Sequence, residues 1–342
     1  MRLLMLGGTE FAGRAITEDA LARGWEVTVF HRGRHDPPTG AVSLHGDRAE
    51  PGGLKALGEG EWDAAVDTWS GAPSAVRDAA RLLADRVGRH VYISSRSVYP
   101  FPTAPGLGED APVVDGSADA GEVEYPQAKR GGELAATGAF GDRALLARVG
   151  LIIGRYENIG RLPWWLTRMA RGGKVLAPGP RNHGLQYVDV RDLAAWTLDA
   201  IEQGLGGPYN LAGPVDHTTM GEFLQACADV TGNKAELVWA DPESILAAGI
   251  EPWMDLPVWL QPGEVYDTMM RADVTRALDS GLRSRPIQDT VADTWEWLRS
   301  IGGQAPHRPD RPKLGLDPEK EREFLAHTES GEVAEPRRNS AS

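Results

Sequence analysis

A tyrosine and a lysine stand four positions apart in the segment Tyr125-Pro126-Gln127-Ala128-Lys129. On a helix this spacing places both side chains on one face. A phenol with a pKa of about 10 is a poor base at neutral pH, and a neighbouring ammonium group stabilises its phenolate form. Such a pair can therefore take or give the proton of a hydroxyl group. Because Tyr-x-x-x-Lys is common by chance, this interpretation needs support from other features.

A serine-rich segment lies upstream of the pair: Tyr92-Ile93-Ser94-Ser95-Arg96-Ser97-Val98-Tyr99. Its first half reads as a strand, so the serines stand where that strand ends. A serine hydroxyl there can hold a substrate oxygen while the tyrosine exchanges a proton with it. Combined with a glycine-rich loop near the start of the chain, the two segments predict hydride transfer between a nicotinamide cofactor and a substrate.

Strands and helices alternate around these segments, which is typical of parallel α/β sheets. The predicted strands are residues 3–6, 26–30, 42–44, 63–66, 90–94 and 144–149, the last with an extension to residue 153 left open. Helices are predicted at 15–22 and 74–84, and the irregular stretch 100–124 is typical of a lid or a disordered loop. The pattern predicts an α/β fold, a Rossmann-type doubly wound parallel sheet with a smaller C-terminal substrate-binding lobe.

The glycine-rich loop Gly7-Gly8-Thr9-Glu10-Phe11-Ala12-Gly13 lies between the first strand and the first helix. Glycines there allow a tight turn and let the backbone approach a pyrophosphate, which the helix N-terminus attracts. A carboxylate facing a pyrophosphate would be repelled, so we expect the Glu10 side chain to point away from the phosphates, toward a basic partner. The predicted dinucleotide contacts in this loop are Gly7, Thr9, Glu10, Phe11 and Gly13.

The end of the second strand carries His31, Arg32 and Arg34, where NAD-preferring enzymes commonly have an acidic residue. Guanidinium groups suit a 2′-phosphate, so NADP(H) is favoured over NAD(H); the alternative is that the arginines are simply solvated. Asp47 is the candidate acceptor for the adenine amino group. The remaining predicted cofactor contacts are Asp67, Trp69, Ser94 and Lys129.

Five pieces of the sequence resemble the NAD-dependent epimerase/dehydratase family of extended short-chain dehydrogenases/reductases, in its GGTxFxG-loop subgroup. They are GGTEFAG, Gly46-Asp47, YISSRSVY, YPQAK and, at residues 185–194, LQYVDVRDLA. The resemblance implies that Ser95, Tyr125 and Lys129 are catalytic. It also implies a seven-stranded parallel sheet whose last strands lie near residues 186–190 and 209–211. The predicted substrate contacts are Ser95, Arg96, Tyr125, Asn158, Arg161 and Gln186, with a plain loop role for Asn158 and Arg161 left open.

We expect an NAD(P)-dependent oxidoreductase acting on a secondary alcohol or carbonyl of a sugar-like or polyol-like small molecule. The same residues serve an epimerase, a dehydratase or a reductase, so the net reaction stays open. His183-Gly184 stand where many nucleotide-sugar enzymes of the family have an arginine, which puts a nucleotide-activated substrate in doubt. The alternative is a non-catalytic dinucleotide-sensing or RNA-binding protein on the same fold.

The composition argues against several partners. The formal net charge of −13 disfavours nucleic acid and anionic membrane surfaces. One cysteine, Cys227, cannot form an internal disulfide and is expected in the core, and the eight histidines show no metal-ligand spacing, so we expect no metal. No apolar run approaches the roughly 20 residues of a membrane span. We expect a soluble cytoplasmic protein, with a homodimer implied only by the family resemblance.

The 342 residues predict two lobes and an extension. Residues 1–153 form the dinucleotide-binding domain, joined by returning strands at about 186–213. Residues 154–185 and 214–302 form the substrate lobe, and 303–342 form a C-terminal extension with a partly disordered tail. We expect the basic cluster of Arg168, Arg171 and Lys174 to be solvated, and residues 254–260 to line a pocket or a subunit interface.

Overall fold

The computed structural model describes residues 1–330, and the side chains as far as residue 327. The part of the predicted tail from residue 331 onward lies outside the described residues. In chain order the strands are β1 Arg2–Leu6, β2 Glu26–His31, β3 Val42–His45, β4 Trp62–Asp67, β5 Val87–Ser95, β6 Ala144–Val149, β7 Leu151–Ile153, β8 Gly173–Pro178, β9 Gly184–Leu185, β10 Tyr187–Asp189, β11 Gly207–Leu211, β12 Thr218–Thr219 and β13 Ala235–Ala240.

Eleven α-helices are present in the described residues. They are α1 Phe11–Ala22, α2 Pro73–Leu83, α3 Tyr125–Phe140, α4 Arg161–Arg171, α5 Val190–Glu202, α6 Met220–Val230, α7 Pro242–Ala247, α8 Glu264–Met270, α9 Thr275–Asp279, α10 Ile287–Ser300 and α11 Pro318–Ser330. Single 3₁₀ turns span Lys55–Leu57, Arg96–Val98 and Gly141–Arg143.

The central sheet has seven strands in the order β11-β6-β5-β4-β1-β2-β3. All of its neighbouring strands run parallel. Central strands such as β1, with Leu3 to Leu6 buried, are apolar on both faces because helices cover both sides of a parallel sheet. The predicted Rossmann-type α/β fold is confirmed, and every predicted strand through residue 149 is present within a few residues.

One predicted strand of this sheet is misplaced. The strand expected at 186–190 is the short β10, which pairs with β7 in a separate two-stranded ladder. Only β11, expected near 209–211, joins the central sheet after β6. The extension of β6 toward residue 153 is interrupted at Gly150, whose amide donates to the carbonyl of Leu211. The chain therefore leaves the central sheet there and starts the separate strand β7.

The chain divides into two compact units. The first comprises residues 1–152, 186–215 and 267–285, and the second comprises 153–185, 216–266 and 286–342. The expected substrate lobe included residues 267–285, whereas the structure places them in the first unit. There Arg285 donates to the carboxylate of Asp192 on α5, and the Trp196 indole donates to Ser280. These contacts attach the segment to the helical layer that covers the central sheet.

The second unit has its own apolar core, built on helices α4, α6 and α10 and the parallel pair β8–β13. Trp165 of α4 is fully buried, and its indole donates to the carbonyl of Pro257. Residues 256–260 are buried as well, with the Trp259 indole donating to the carbonyl of Gly179. The segment 254–260, expected at a pocket or interface, therefore contributes to the core of this unit.

The basic cluster near the end of α4 is not uniformly solvated. Arg168 is buried, and its Nε donates at 2.7 Å to Glu321 of helix α11. Arg171 and Lys174 are exposed, as expected. The prediction for Arg168 is wrong because its carboxylate partner lies 153 residues away in the sequence. Helix α11 thus belongs to the packed part of the second unit.

Candidate active site

Helix α3 begins at Tyr125, and Lys129 lies one turn later on the same face. The Lys129 side chain is 3% exposed, and its Nζ donates at 2.7 Å to each of two backbone carbonyls, those of Trp69 and Ile93. The Nζ lies 6.0 Å from the centroid of the Tyr125 ring, which is 37% exposed. The structure therefore brings together the predicted pair, with the ammonium fixed in the interior and the phenol at the surface.

The backbone carbonyls that hold Lys129 come from the carboxyl ends of two neighbouring strands. Ile93 belongs to β5, and Trp69 follows the end of β4. The Tyr92 hydroxyl also donates to the Trp69 carbonyl, at 3.1 Å, and the Lys129 ammonium lies 4.8 Å from the Tyr92 ring. Burial raises the pKa of Tyr92, so this phenol stays protonated and acts as a donor. Tyr125, at the start of α3, is the exposed phenol of the two.

A buried carboxylate, which sequence reasoning missed, anchors the same helix one turn further on. Glu133 is fully buried and accepts hydrogen bonds from Ser94 at 2.8 Å and from Arg148 of β6 at 2.9 and 3.1 Å. Arg130 adds a fourth, at 3.1 Å. The predicted cofactor contact Ser94 therefore has its hydroxyl committed to Glu133. The sequence signal was available: Glu133 follows Lys129 by four residues, on the same helical face.

Ser95 ends β5 and caps the 3₁₀ turn that follows it. Its Oγ accepts from the Ser97 amide at 3.1 Å and donates to the Ser97 hydroxyl at 3.1 Å. Ser95 is half-buried at the carboxyl edge of the sheet, where the ends of β4 and β5 and the start of α3 also contribute. Because a hydroxyl hydrogen rotates freely, the Ser95 hydroxyl can donate to a substrate oxygen in place of Ser97.

Arg96 is not placed to meet a substrate. Its guanidinium donates to the carbonyls of Thr268 at 2.9 Å and Met269 at 3.0 Å, both within the first unit. Burial lowers the pKa of Arg96 to about 10. The side chain instead attaches the segment after β5 to residues 267–285, so we leave Arg96 out of the candidate site.

Asp67 closes β4 and is fully buried. Its carboxylate accepts from Nη1 of Arg48 at 2.8 and 3.0 Å and from the Trp69 amide at 2.9 Å. The Arg48 guanidinium lies 5.1 Å from the Trp69 ring. The predicted cofactor contact Asp67 therefore holds the turn whose carbonyl receives Lys129. Sequence reasoning missed Arg48, which directly follows the singled-out Asp47.

The glycine-rich loop packs tightly against the start of α1. Gly7 and Gly8 have φ of +110° and +95°, a region that side chains rarely adopt. A Cβ on Gly13 would lie 2.8 Å from the backbone nitrogen of Gly8, so only glycine allows this approach of helix to loop. Thr68, after β4, donates its amide and hydroxyl to the Leu6 carbonyl, which joins the loop to the Lys129 side of the site.

Glu10 lies at the N-cap of α1 and makes no capping hydrogen bond with its side chain. Its carboxylate approaches His35 Nε2 at 3.6 Å. Glu10 thus has the basic partner that the charge argument predicted. Thr9 is half-buried, and Phe11 opens the helix with a φ of +37°.

The predicted adenosine contacts lie at the adjoining carboxyl ends of β2 and β3. Arg32 and Arg34 are exposed. Within residues 1–327 neither guanidinium forms a hydrogen bond or an ion pair. His31 is largely buried, and Asp47 is half-buried with one carboxylate oxygen accepting from the Ala49 amide at 3.1 Å.

The remaining predicted substrate contacts are Gln186, Asn158 and Arg161. Gln186 is 1% exposed, and its amide bonds to the backbone of Gly213 and Ala272, so it fastens two segments of the first unit. Asn158 and Arg161 belong to the second unit, where the Asn158 carbonyl accepts from the Arg308 amide and Arg161 pairs with Glu157 at 2.8 Å. We leave Gln186 out and keep the other two as predictions.

Other candidate chemistry is sparse in the described residues. No group of three or more His, Cys, Asp or Glu side chains is placed there to hold a metal ion. Cys227 is buried in α6, as expected. In residues 1–330 no helix is long and apolar enough to cross a membrane. Two open cavities, of about 550 Å³ near Arg168 and about 490 Å³ near Arg143, contain no predicted site residue.

Comparison with known proteins identifies the domain. Residues 61–212 match the sequence profile of the NAD dependent epimerase/dehydratase family, a span that includes Asp67, Ser95, Tyr125 and Lys129. The chain contains a domain of this family. The predicted family resemblance is thus confirmed, while the narrower GGTxFxG subgroup stays a prediction. The glycine-rich loop lies before the matched span, in the same compact unit as the epimerase/dehydratase domain.

Relatives agree with this assignment. The epimerase family protein SDR39U1 of Bos taurus is 27% identical over 264 residues, covering 69% of this chain and 82% of that protein. The Bordetella bronchiseptica enzyme WbmH, solved in complex with NAD+, has a TM-score of 0.65 at 18% identity and covers 88% of this chain and 99% of its own. A UDP-glucose 4-epimerase has a TM-score of 0.64 at 14% identity, covering 92% and 100%. At these identities the solved structures establish the fold of the epimerase/dehydratase domain.

Proposed function

We propose that this protein is an NAD(P)-dependent oxidoreductase acting on a secondary alcohol or carbonyl of a sugar-like or polyol-like small molecule. The observation that carries the proposal is the placement of Lys129. Its ammonium is held by two carbonyls in the interior, 6.0 Å from the ring of Tyr125, at the carboxyl edge of a parallel sheet. Ligands of open α/β sheets bind outside this edge.

The glycine-rich loop fits a dinucleotide. The positive φ of Gly7 and Gly8 and the close approach of Gly13 to Gly8 form a tight turn that an added Cβ would disrupt. The first turn of α1 offers amide groups and the positive end of the helix dipole to a pyrophosphate. The Glu10 carboxylate approaches His35, which supports the loop as an anion site. We assign the pyrophosphate to this loop and the adenosine to residues 31–34 and Asp47.

The chain's own residues supply the proton chemistry. The Tyr125 phenolate takes the proton of a substrate hydroxyl, and its protonated form returns that proton to a carbonyl oxygen. Lys129 stabilises the phenolate, and the Ser95 hydroxyl holds the substrate oxygen. When bound, the nicotinamide accepts or returns the hydride. The buried anchors of α3, Lys129 and Glu133, keep Tyr125 at a fixed position relative to the ends of β4 and β5.

Two finer assignments belong to the proposal. The exposed, unpartnered guanidinium groups of Arg32 and Arg34 suit a 2′-phosphate, so NADP(H) is the favoured cofactor. The related enzyme WbmG of Bordetella bronchiseptica, at 17% identity, was solved in complex with NAD and UDP. Epimerisation, dehydration and reduction all remain open, and the expected homodimer rests on the family resemblance.

The test begins with cofactor binding. Nicotinamide fluorescence and calorimetry should show that the purified protein binds NADP(H) or NAD(H), and mass spectrometry should identify the co-purifying dinucleotide. No binding of either would overturn the proposal. A panel of sugars, polyols and nucleotide sugars is then screened by absorbance at 340 nm for reduction and by NMR for epimerisation or dehydration.

Variants then test the residue assignments on any substrate found. Tyr125→Phe and Lys129→Met should lower turnover by at least about a hundredfold, the usual contribution of a proton-transfer group. Lys55→Met, at an exposed lysine of the same unit, is the matched control and should leave turnover unchanged. Full activity in Tyr125→Phe would exclude the assigned proton transfer. A protein that binds RNA at physiological salt and turns over no substrate would favour the alternative of a non-catalytic RNA-binding protein.

A further inference from the structure

Three side chains form a hydrogen-bonded chain across the edge of the sheet. His31 ends β2, and Ser43 and His45 lie on the neighbouring strand β3. Nε2 of His31 lies 2.6 Å from the Ser43 Oγ, and Nε2 of His45 lies 2.9 Å from the same oxygen. The two imidazole rings meet edge to face, with centroids 4.7 Å apart. This cluster had no part in the predicted function beyond His31 itself.

The hydrogen bond from the Gly33 amide determines which nitrogen of His31 carries a proton. The Gly33 amide donates to Nδ1 of His31 at 3.2 Å, so that nitrogen is unprotonated. A neutral His31 then carries its proton on Nε2 and donates it to Ser43. Nε2 of His45 forms a hydrogen bond with the same hydroxyl group. Burial, aided by His45 and opposed by Asp36, lowers the pKa of His31, in agreement with a neutral ring.

The hydrogen-bonded series of His31, Ser43 and His45 ends at the turn that carries Arg32 and Arg34, whose guanidinium groups make no hydrogen bond or ion pair within residues 1–327. Gly33, between Arg32 and Arg34, has a φ of +76°, and its amide is the first donor of the chain. A Cβ added to Gly33 would lie 3.9 Å from ring atoms of His45, so a side chain at this position would meet that ring. Because the Gly33 amide donates to His31, and Ser43 joins His31 to His45, the conformation of the Arg32–Arg34 turn is tied to these three side chains.

We propose that His31, Ser43 and His45 are positioning residues that hold the Arg32–Arg34 turn ready for the 2′-phosphate of NADP(H). The inference rests on the proposed dinucleotide site and deepens it. A turn fixed before binding loses less conformational entropy when it closes on a phosphate. Two acidic groups lie near the turn: the Glu10 carboxylate is 3.6 Å from His35, and Asp36 acts electrostatically on His31. NAD(H), which has a hydroxyl in place of this phosphate, gains little from the turn.

The experiment compares dissociation constants for NADP+ and NAD+ by calorimetry. Ser43→Ala removes both inner hydrogen bonds at an exposed position, and Ser43→Thr keeps the hydroxyl. We expect Ser43→Ala to weaken NADP+ binding by about five- to tenfold, which is about 1–1.4 kcal/mol in total, and to leave NAD+ binding unchanged. Ser43→Thr should restore the preference. Val42→Thr, at the exposed neighbouring residue, is the matched control.

A second pair of variants tests His45, at the other end of the hydrogen-bonded series from His31. His45→Gln keeps a hydrogen-bond partner for the Ser43 hydroxyl and should retain the preference for NADP+, whereas His45→Phe should lose it. The wild-type protein should bind NADP+ more tightly than NAD+. If Ser43→Ala and His45→Phe show the same ratio of the two dissociation constants as the wild type, the inference is overturned and the proposed function stands. A wild-type protein that binds both dinucleotides equally also overturns the inference. A protein that binds neither overturns the proposed function as well.

Discussion

Replacing Glu133 by glutamine should destabilise the first unit severely. The carboxylate is fully buried and accepts four hydrogen bonds of 2.8–3.1 Å, two of them from Arg148, whose side chain is 5% exposed. Glutamine has one acceptor oxygen and no charge, so it leaves the buried guanidinium without its counter-charge. Removing one partner of a buried pair costs about 3–5 kcal/mol. Because an amide oxygen still accepts, we place Glu133→Gln at about 3 kcal/mol and Glu133→Leu at about 5 kcal/mol.

The measurement is the free energy of unfolding from urea titration at pH 7. Because the chain has two compact units, tryptophan fluorescence and circular dichroism are followed together to detect separate transitions. Glu18→Gln is the matched control. Its pair with Arg14 has the same separation of 2.9 Å, but the side chains are 32% and 34% exposed, and such helical pairs contribute about 0.3–0.5 kcal/mol.

A double variant separates the two causes of the loss. In Glu133→Leu combined with Arg148→Met both charges are gone, so stability should recover most of what Glu133→Leu loses. The reasoning is refuted if Glu133→Gln costs no more than the Glu18→Gln control. It is also refuted if the double variant is as unstable as the sum of its single changes, because the cost would then not arise from an unpaired buried charge.

Four further outcomes are expected. Burial lowers the pKa of His90 to about 4, so this histidine binds a proton more readily in the unfolded chain than in the folded one. The free energy of unfolding should therefore fall by about 3 kcal/mol as the pH drops from about 6.5 to 4. In His90→Phe, urea titrations over this pH range should lack that decrease. Gly13→Ala forces a contact with the loop backbone and should weaken NADP+ binding at least about tenfold in calorimetry, whereas unchanged affinity would disprove the close approach. Burial raises the pKa of the Cys227 thiol, so a disulfide reagent should label it only in denaturant. Deleting helix α11 removes Glu321 from buried Arg168 and should cost about 3 kcal/mol in urea unfolding; a neutral result would contradict its place in the packed unit.

Local patterns predicted most of the central sheet because its strands are short apolar runs between glycine and proline signals. The glycine loop and the Tyr125–Lys129 spacing were equally readable, since each is a local feature with a definite geometry. The strand at 186–190 was misplaced for a different reason. Short apolar runs such as β10 and β11 look alike in sequence, and the choice of neighbour depends on the position where β6 is interrupted.

Pairs distant in sequence account for what could not be predicted in the site. Arg48 and Asp67 are 19 residues apart and Glu133 and Arg148 are 15 apart, and nothing local marks them as partners. Polar residues at the carboxyl ends of strands are usually assigned to ligands, which is why Asp67, Ser94 and Gln186 were expected to contact cofactor or substrate. In this structure each of them bonds to polar groups that the fold itself buries.

The type of hydrogen-bond acceptor distinguishes Lys129 from the buried arginines around it. Arg48 and Arg148 meet carboxylates, which cancel their charge as well as accept their protons. Lys129 is fixed by carbonyl oxygens, which accept protons but carry no formal charge. The Lys129 ammonium, which carries a full positive charge, lies 6.0 Å from the centroid of the Tyr125 ring. The two carbonyl bonds therefore fix the position of the ammonium without cancelling its charge, which is a reason for a lysine rather than an arginine–carboxylate pair at this position.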